Sequence, residues 1–207
     1  LLPFPGLVGG VVGKTIVANL NCSSTTSYVT GALKQEVVFG QTVRHTNVAR
    51  YVGSASVEFP VVGLSLVVLY KLYNGGCVES FDWSKHTLAD ACTVMGGVAE
   101  GLAHMHAEGY LHRDIKPLNM LVHIGEQSGM SGAVCDFGVV AMKDEHGTKV
   151  DGHVGTAGYR APELRSGAKL ALRFKYSNST DVWAFGLSLA TTLTRLRRED
   201  VYNISSS

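Results

Sequence analysis

Apolar positions recur three and four apart from Leu88 through Ala91, Met95, Val98, Leu102 and Met105, the stripe of one amphipathic helix. Thr87 stands where a helix N-cap belongs, and Gly109 where such a helix ends. Gly96 and Gly97 interrupt the pattern at about 1 kcal/mol each against alanine, so the stripe must be well packed. A second helix is predicted after Thr180. Its Val182, Trp183, Phe185, Leu187, Leu189, Leu193 and Leu196 surround the axis, the pattern of a helix buried on all sides.

The first part of the chain reads differently. Residues 1–30 are rich in Gly, Val, Ser and Thr and predict short strands and turns. Residues 31–44 predict a short helix with Leu33, Glu36, Val37 and Gly40 on one face. Residues 48–70 return to β character through Val48, Tyr51, Val57, Val61, Val62, Val67 and Val68, and Gly75 and Gly76 mark a turn. After the helix that follows residue 87, loops and short strands reach to about 140, and a polar, glycine-containing loop runs on to 160. A β-rich part, 1–74, thus precedes a helical part, 75–207, which predicts an α+β protein of two lobes.

Composition narrows the classes. With 18 Lys and Arg against 17 Asp and Glu, the formal charge is +1, which gives no basis for a nucleic-acid surface or a polybasic membrane patch. Cys22, Cys77, Cys92 and Cys135 form no CxxC pair, and read as reduced thiols in the cytoplasm. The longest uncharged apolar stretch, 59–70, is too short for a membrane helix and holds Pro60 and Gly63, so a pair of strands fits it. The start of the chain lacks a basic segment ahead of its apolar run, and reads as a chain beginning inside a larger gene product. Gly10–Thr15, GVVGKT, misses a Walker A loop because Val8 stands where the first glycine is required.

The chemistry concentrates between residues 110 and 186. His112, Arg113, Asp114 and Asn119 form HRDxxxxN, and Asp136-Phe137-Gly138 follows 17 residues after Asn119. GTAGYRAPE runs from Gly155 to Glu163, and Asp181, Trp183 and Gly186 form DxWxxG inside the second helix. Four motifs in this order resemble the signature set of eukaryotic-type protein kinase domains. Lys116 and Thr156 give the resemblance a serine/threonine character, with a receptor-like or tyrosine-kinase-like flavour.

The resemblance implies ATP-dependent phosphoryl transfer to Ser/Thr hydroxyls of protein substrates, with ATP and Mg²⁺ as cofactors. Asp114 would accept the proton of the substrate hydroxyl, Lys116 would contact the γ-phosphate, and Thr156 would bond both. Asn119 and Asp136 would hold Mg²⁺, for which their hard oxygens suit. Leu121 would form the floor of the adenine pocket and Cys135 its lining. His112 and Phe137 would stack into a spine, and Asp181 would hold the backbone of the HRD loop. Arg113 would call for a phosphate in the following loop, for which Thr148 is the candidate.

The first part matches less well. Arg44-His45-Thr46-Asn47-Val48 resembles the segment that follows the first helix of these domains, which puts Glu36 at that helix's glutamate. Its lysine partner is expected roughly 15–20 residues earlier in a VAxK strand. That places Ala18 at the alanine and uncharged Asn19 or Leu20 at the lysine, so the lysine is expected to be missing. Gly6, Gly9 and Val11 would be the glycine-rich loop over the phosphates. Lys14 then reads as a solvated turn lysine, or as a substitute reaching the phosphates from that loop. Gly40 replaces a larger apolar spine residue. Beyond the second helix the resemblance expects further helices, one carrying the partner of Glu163, so the helical lobe reads as incomplete. A binding-only pseudokinase with a partner protein, or an inactive fragment, is the alternative function. The expected location is the cytoplasm, or the cytoplasmic part of a larger, membrane-anchored protein.

Overall fold

The computed structural model describes residues 10–15, 23–59, 63–126, 129–164 and 174–205. Gly6, Gly9, Ala18, Asn19, Leu20, Cys22, Val61 and Val62 lie outside them, as do the side chains of Leu33 and Leu196.

Strand β1 (Val11–Thr15) is followed by helix α1 (Ser23–Thr42) and strands β2 (Tyr51–Phe59) and β3 (Gly63–Lys71). The three strands form one antiparallel sheet with β3 in the middle. Two expectations need correction. Residues 23–30, predicted as strands and turns, are the first two turns of α1. Val11, predicted in a phosphate loop, is instead a strand residue opposite Lys71. The Ser/Thr-rich start of α1 has weak helix propensity, and tertiary packing of the following turns decides its state.

α1 docks on the sheet through one face. Glu36, Phe39, Gly40 and Val43, at helical spacing, are all buried. A β-carbon on Gly40 would lie 2.7 Å from the Tyr51 β-carbon, so Tyr51 fills the space left by the missing side chain. Glycine at 40 is therefore what the close helix–sheet approach demands.

Strand β4 (Gly76–Cys77) leads to α2 (Leu88–Ala107), which starts and ends where the sequence pattern places it. Thr87 and Asp90 form a reciprocal capping box, and Gly109 takes φ +84° just past the end. The predicted stripe is buried at Ala91, Met95, Val98, Leu102 and Met105, joined by Val94, whereas Leu88 at its start is exposed. It packs against β7 (Gly129–Val134), which pairs with β6 (Met120–Gly125), itself paired with β4. Val134 also meets the segment after α1: its N–H donates to Asn47 O at 2.9 Å and its carbonyl accepts from Ala49 at 2.8 Å. The small sheet and the helical body thus share one core running from Phe39 and Val68 to Val98 and Phe137.

The remaining strands are short. β5 (Tyr110–Leu111) pairs with β8 (Ala141–Met142), and β9 (Thr148–Asp151) with β10 (Phe174–Ser177). Helix α3 (Asn178–Ser205) starts two residues before Thr180, whose hydroxyl accepts from Ser177 N at 3.3 Å. The prediction that α3 is buried all round is corrected. Val182 and Trp183 are 56% and 41% exposed, and its buried face is Asp181, Ala184, Ser188 and Thr192. These small residues let α3 come close to its neighbours, and the Ser188 and Thr192 hydroxyls bond the carbonyls four residues back at 2.8 and 2.9 Å. No helix among the described residues is long and apolar enough to cross a membrane.

The two glycines in α2 are not equivalent. At Gly97 a β-carbon would sit 2.6 Å from Asn47 Nδ2 and 2.9 Å from Gly132 O, whereas at exposed Gly96 nothing lies within 4 Å. Asn47 is itself held by its 2.7 Å bond to Gly132 O. Gly97→Ala is expected to destabilise by about 2 kcal/mol or more. Gly96→Ala is expected to stabilise by about 0.5–1 kcal/mol. Thermal melts of the two variants should therefore shift in opposite directions.

Candidate active site

The loop after β5 is held in an uncommon backbone shape. Arg113 has φ +69°, a left-handed conformation that costs roughly 1–2 kcal/mol for a residue with a side chain. Asp181, 2% exposed on the first turn of α3, offsets that strain. Its carboxylate accepts from His112 N and Arg113 N, both at 2.8 Å, and meets His106 Nε2 at 2.9 Å. His112 is fully buried, with Nε2 2.9 Å from Cys135 O and its ring 5.9 Å from that of Phe137. Phe137 also lies 4.3 Å from the ring of Phe39, so the loop, the DFG segment and α1 share one aromatic stack.

Asp114 emerges from this loop into a polar cluster. Its Oδ1 accepts from Thr156 N at 2.8 Å and Thr156 Oγ1 at 2.7 Å. Its Oδ2 is 2.9 Å from Lys116 Nζ and accepts from Asn119 Nδ2 at 3.1 Å. Lys116 also donates to Thr156 Oγ1 at 2.8 Å. Gly155 permits this closeness: it has φ +81°, and a β-carbon there would lie 2.3 Å from Arg113 O. Asn119 Nδ2 also bonds Asp114 O at 2.8 Å, which ties the amide to the loop and leaves its carbonyl oxygen to face another ligand.

The second cluster overturns the expected missing lysine. Lys14 Nζ, on β1, donates to Glu36 Oε1 at 3.1 Å and Oε2 at 3.0 Å, and to Asp136 Oδ1 at 2.6 Å. Neither a solvated turn residue nor an uncharged Asn19 or Leu20 describes this position. The lysine lies 22 residues before Glu36, outside the spacing used to search for it. α1 is longer than predicted, so the strand had to be sought earlier. The signal in the sequence is Val11-Val12-Gly13-Lys14, a strand-like VxxK that precedes Val17-Ala18.

Electrostatics support the grouping. Burial alone would lower the Lys14 pKa, but the hydrogen bond and charge of Asp136, with Glu36, outweigh it and raise the pKa above 10.5. Burial alone would raise that of Asp136, but the hydrogen bond and charge of Lys14 hold the carboxyl below 3.8. Burial pushes the Cys135 thiol up to about 12, so it is a protonated thiol, poor as a nucleophile.

A cleft of about 420 Å³ opens at the Lys14 cluster. Lys14, Glu36, Leu121, Cys135, Asn119 and Asp136 line it, joined by Val12, Ala49, Tyr70 and Cys77, which sequence reasoning did not single out. Asp114, Lys116 and Thr156 gather next to Asn119, outside the lining of this cleft. Thr148 is buried, and its hydroxyl donates to Asp144 at 2.9 Å, so it does not offer an open phosphorylation site. Arg113 donates to Val139 O at 2.7 Å and stacks 5.5 Å from the Tyr176 ring centre. Glu163 is exposed.

A strained HRD loop anchored from a helix, a DFG aspartate facing a strand lysine paired with a helix glutamate, and a cleft between sheet and helical body together define a protein-kinase-like site. The family model "Protein kinase domain" matches residues 11–199, and the chain belongs to that family. Mitogen-activated protein kinase kinase kinase 7 of Drosophila melanogaster is 29% identical over 170 residues, covering 79% of this chain and 23% of that protein. Cysteine-rich receptor-like protein kinase 28 of Arabidopsis thaliana is 27% identical over 194 residues, covering 88% of this chain and 26% of that protein. Serine/threonine-protein kinase pakB of Dictyostelium discoideum is 32% identical over 158 residues, covering 73% of this chain and 16% of that protein. The chain thus spans 16% to 26% of the length of these relatives.

The Asp136 carboxyl titrates lower in the folded chain than its ordinary 3.8. Its contribution to stability is therefore present above about pH 4 and is lost as pH falls through the depressed value. In chelator-treated protein, the stability difference between the parent chain and Asp136→Asn, followed by urea melts, should stay constant near neutrality. It should change only as the pH drops below about 4.

Proposed function

We propose that this chain transfers the γ-phosphoryl group of ATP to Ser/Thr hydroxyls of protein substrates. The observation that carries the reading is Lys14 Nζ, at 3.0 Å from Glu36 and 2.6 Å from Asp136, in a cleft whose lining includes Asn119, a hydrogen-bond partner of Asp114. Glu36 would orient Lys14 so that its ammonium meets phosphate oxygens as a preorganised positive charge. Asp114, fixed by Thr156 and Asn119, would accept the proton as the substrate hydroxyl attacks. Lys116 would neutralise charge on the transferring group from the same cluster. Lys116 and Thr156, bonded to each other, stand where the resemblance places the lysine and threonine of Ser/Thr kinases, which supports hydroxyls of Ser and Thr as acceptors.

The donor set fits magnesium. Asp136 and the Asn119 carbonyl oxygen are hard ligands at the cleft. Mg²⁺, when bound, would neutralise the triphosphate charge. Val12, Ala49, Leu121 and Cys135 would line the adenine side. The thiols Cys77, Cys92 and Cys135 are free, which suits the cytoplasm, or the cytoplasmic part of a larger protein. The binding-only alternative rested on an absent lysine, and Lys14 removes that support.

The test uses the parent chain and Asp114→Asn, each with Mg²⁺-ATP and a generic protein substrate. Both should show a thermal shift with the nucleotide. Phosphate transfer, recovered as phosphoserine and phosphothreonine, should fall by about 10²-fold or more in the variant. A shift with no transfer by either protein would favour the binding module, and phosphotyrosine as the main product would overturn the acceptor assignment.

A further inference from the structure

Glu36 is fully buried, and a buried carboxylate needs partners for both oxygens. Lys14 supplies one contact to each oxygen, but the same ammonium also serves Asp136. A further donor completes the set: Tyr70 Oη donates to Glu36 Oε1 at 2.7 Å, inside the core.

The sheet register explains the convergence. Lys14 lies opposite Val68, and Tyr70 lies two residues further along β3, opposite Val12. Side chains two apart on a strand share a face, so Lys14 and Tyr70 both point at α1. Gly40, one turn after Glu36, brings the helix close enough for both to reach the carboxylate. The Tyr70 ring is held in turn, 6.3 Å from Tyr51 and 6.3 Å from Phe137.

We propose that the Tyr70 hydroxyl is a positioning group that fixes Glu36, and through it Lys14, independently of whatever else Lys14 contacts. The inference rests on the phosphoryl-transfer reading only for its consequence, not for the contact. When Lys14 turns to a nucleotide phosphate, its hold on Glu36 is shared with that phosphate. The tyrosine contact does not use the Lys14 ammonium, so the carboxylate keeps this partner when Lys14 turns to a phosphate. Burial, with Glu36 alongside, pushes the Tyr70 phenol far upward, so it remains a proton donor at any working pH.

The experiment compares the parent chain, Tyr70→Phe, Glu36→Ala and the double variant by two readouts. The first is the rate at which an amine-reactive ester labels Lys14 without nucleotide, read by mass spectrometry, with exposed Lys34 as internal control. The second is the Kd for Mg²⁺-ATP together with kcat and KM. Tyr70→Phe should raise Lys14 labelling severalfold, leave Lys34 unchanged, and weaken Mg²⁺-ATP by about tenfold, the scale of a hydrogen bond to a charged group. In the Glu36→Ala background the Tyr70→Phe change should have no further effect, because the hydroxyl acts through that carboxylate. Unchanged Lys14 labelling in Tyr70→Phe overturns the proposal, as does an equal factor in both backgrounds, which would mark a packing effect. If labelling responds as expected while the parent chain fails to bind Mg²⁺-ATP, the phosphoryl-transfer reading falls and the positioning role stands.

Discussion

The ammonium of Lys14 is shared by two carboxylates that lie 22 and 122 residues away along the chain. One stands on α1 and the other directly follows Cys135 at the end of the β6–β7 hairpin, so this contact joins sheet, helix and helical body at the cleft. At the ion-pair distances found here the attraction is strong only because the site is partly withdrawn from water. Glu36 is fully buried, while Lys14 and Asp136 are side-chain exposed by 32% and 44%. The fixed partner is thus inside, and the partners that can turn to a ligand are at the opening.

That arrangement depends on two backbone strains held by remote groups. Arg113 and Asp136 both take positive φ, at 69° and 66°, although neither is glycine. Asp181 clamps the first from α3, while the second is flanked by Phe137, locked among Phe39, His112 and Tyr70. Strain of this kind persists where the surroundings over-determine it, and it collects at sites that must hold charged groups in a set geometry. Asp114 and Asp136 are aimed in part by groups outside the cleft lining, Asp181 on α3 and the rings of Phe39, His112 and Phe137, which makes these groups part of the site's machinery.

The helical part was legible because its signals are local. The α2 stripe and its cap are spelled out within one helix, and the four motifs, three on loops and one at the start of α3, are each a short run of residues. The resemblance carried by those motifs grouped Asp114, Lys116, Asn119 and Thr156 in one site, and the structure brings them into hydrogen-bond contact. Lys14 was not legible in the same way, since its pairing with Glu36 depends on the length of α1 and of the connection before it. The usual spacing from Glu36 points to Asn19 and Leu20. Tyr70 escaped because a tyrosine in a strand reads as an ordinary sheet residue until the register puts it beside Lys14. The exposure of Val182 and Trp183 escaped because apolar residues all round α3 do not reveal that its small polar face is the buried one.

The most direct test is the affinity of Lys14→Met for Mg²⁺-ATP, measured by calorimetry beside the parent chain. Loss of a charge-assisted contact to phosphate should weaken binding by about tenfold or more, while Lys34→Met should leave it unchanged. Equal affinity of Lys14→Met and the parent chain would contradict the assignment of Lys14 as the nucleotide-facing cation, and with it the reading of the cleft.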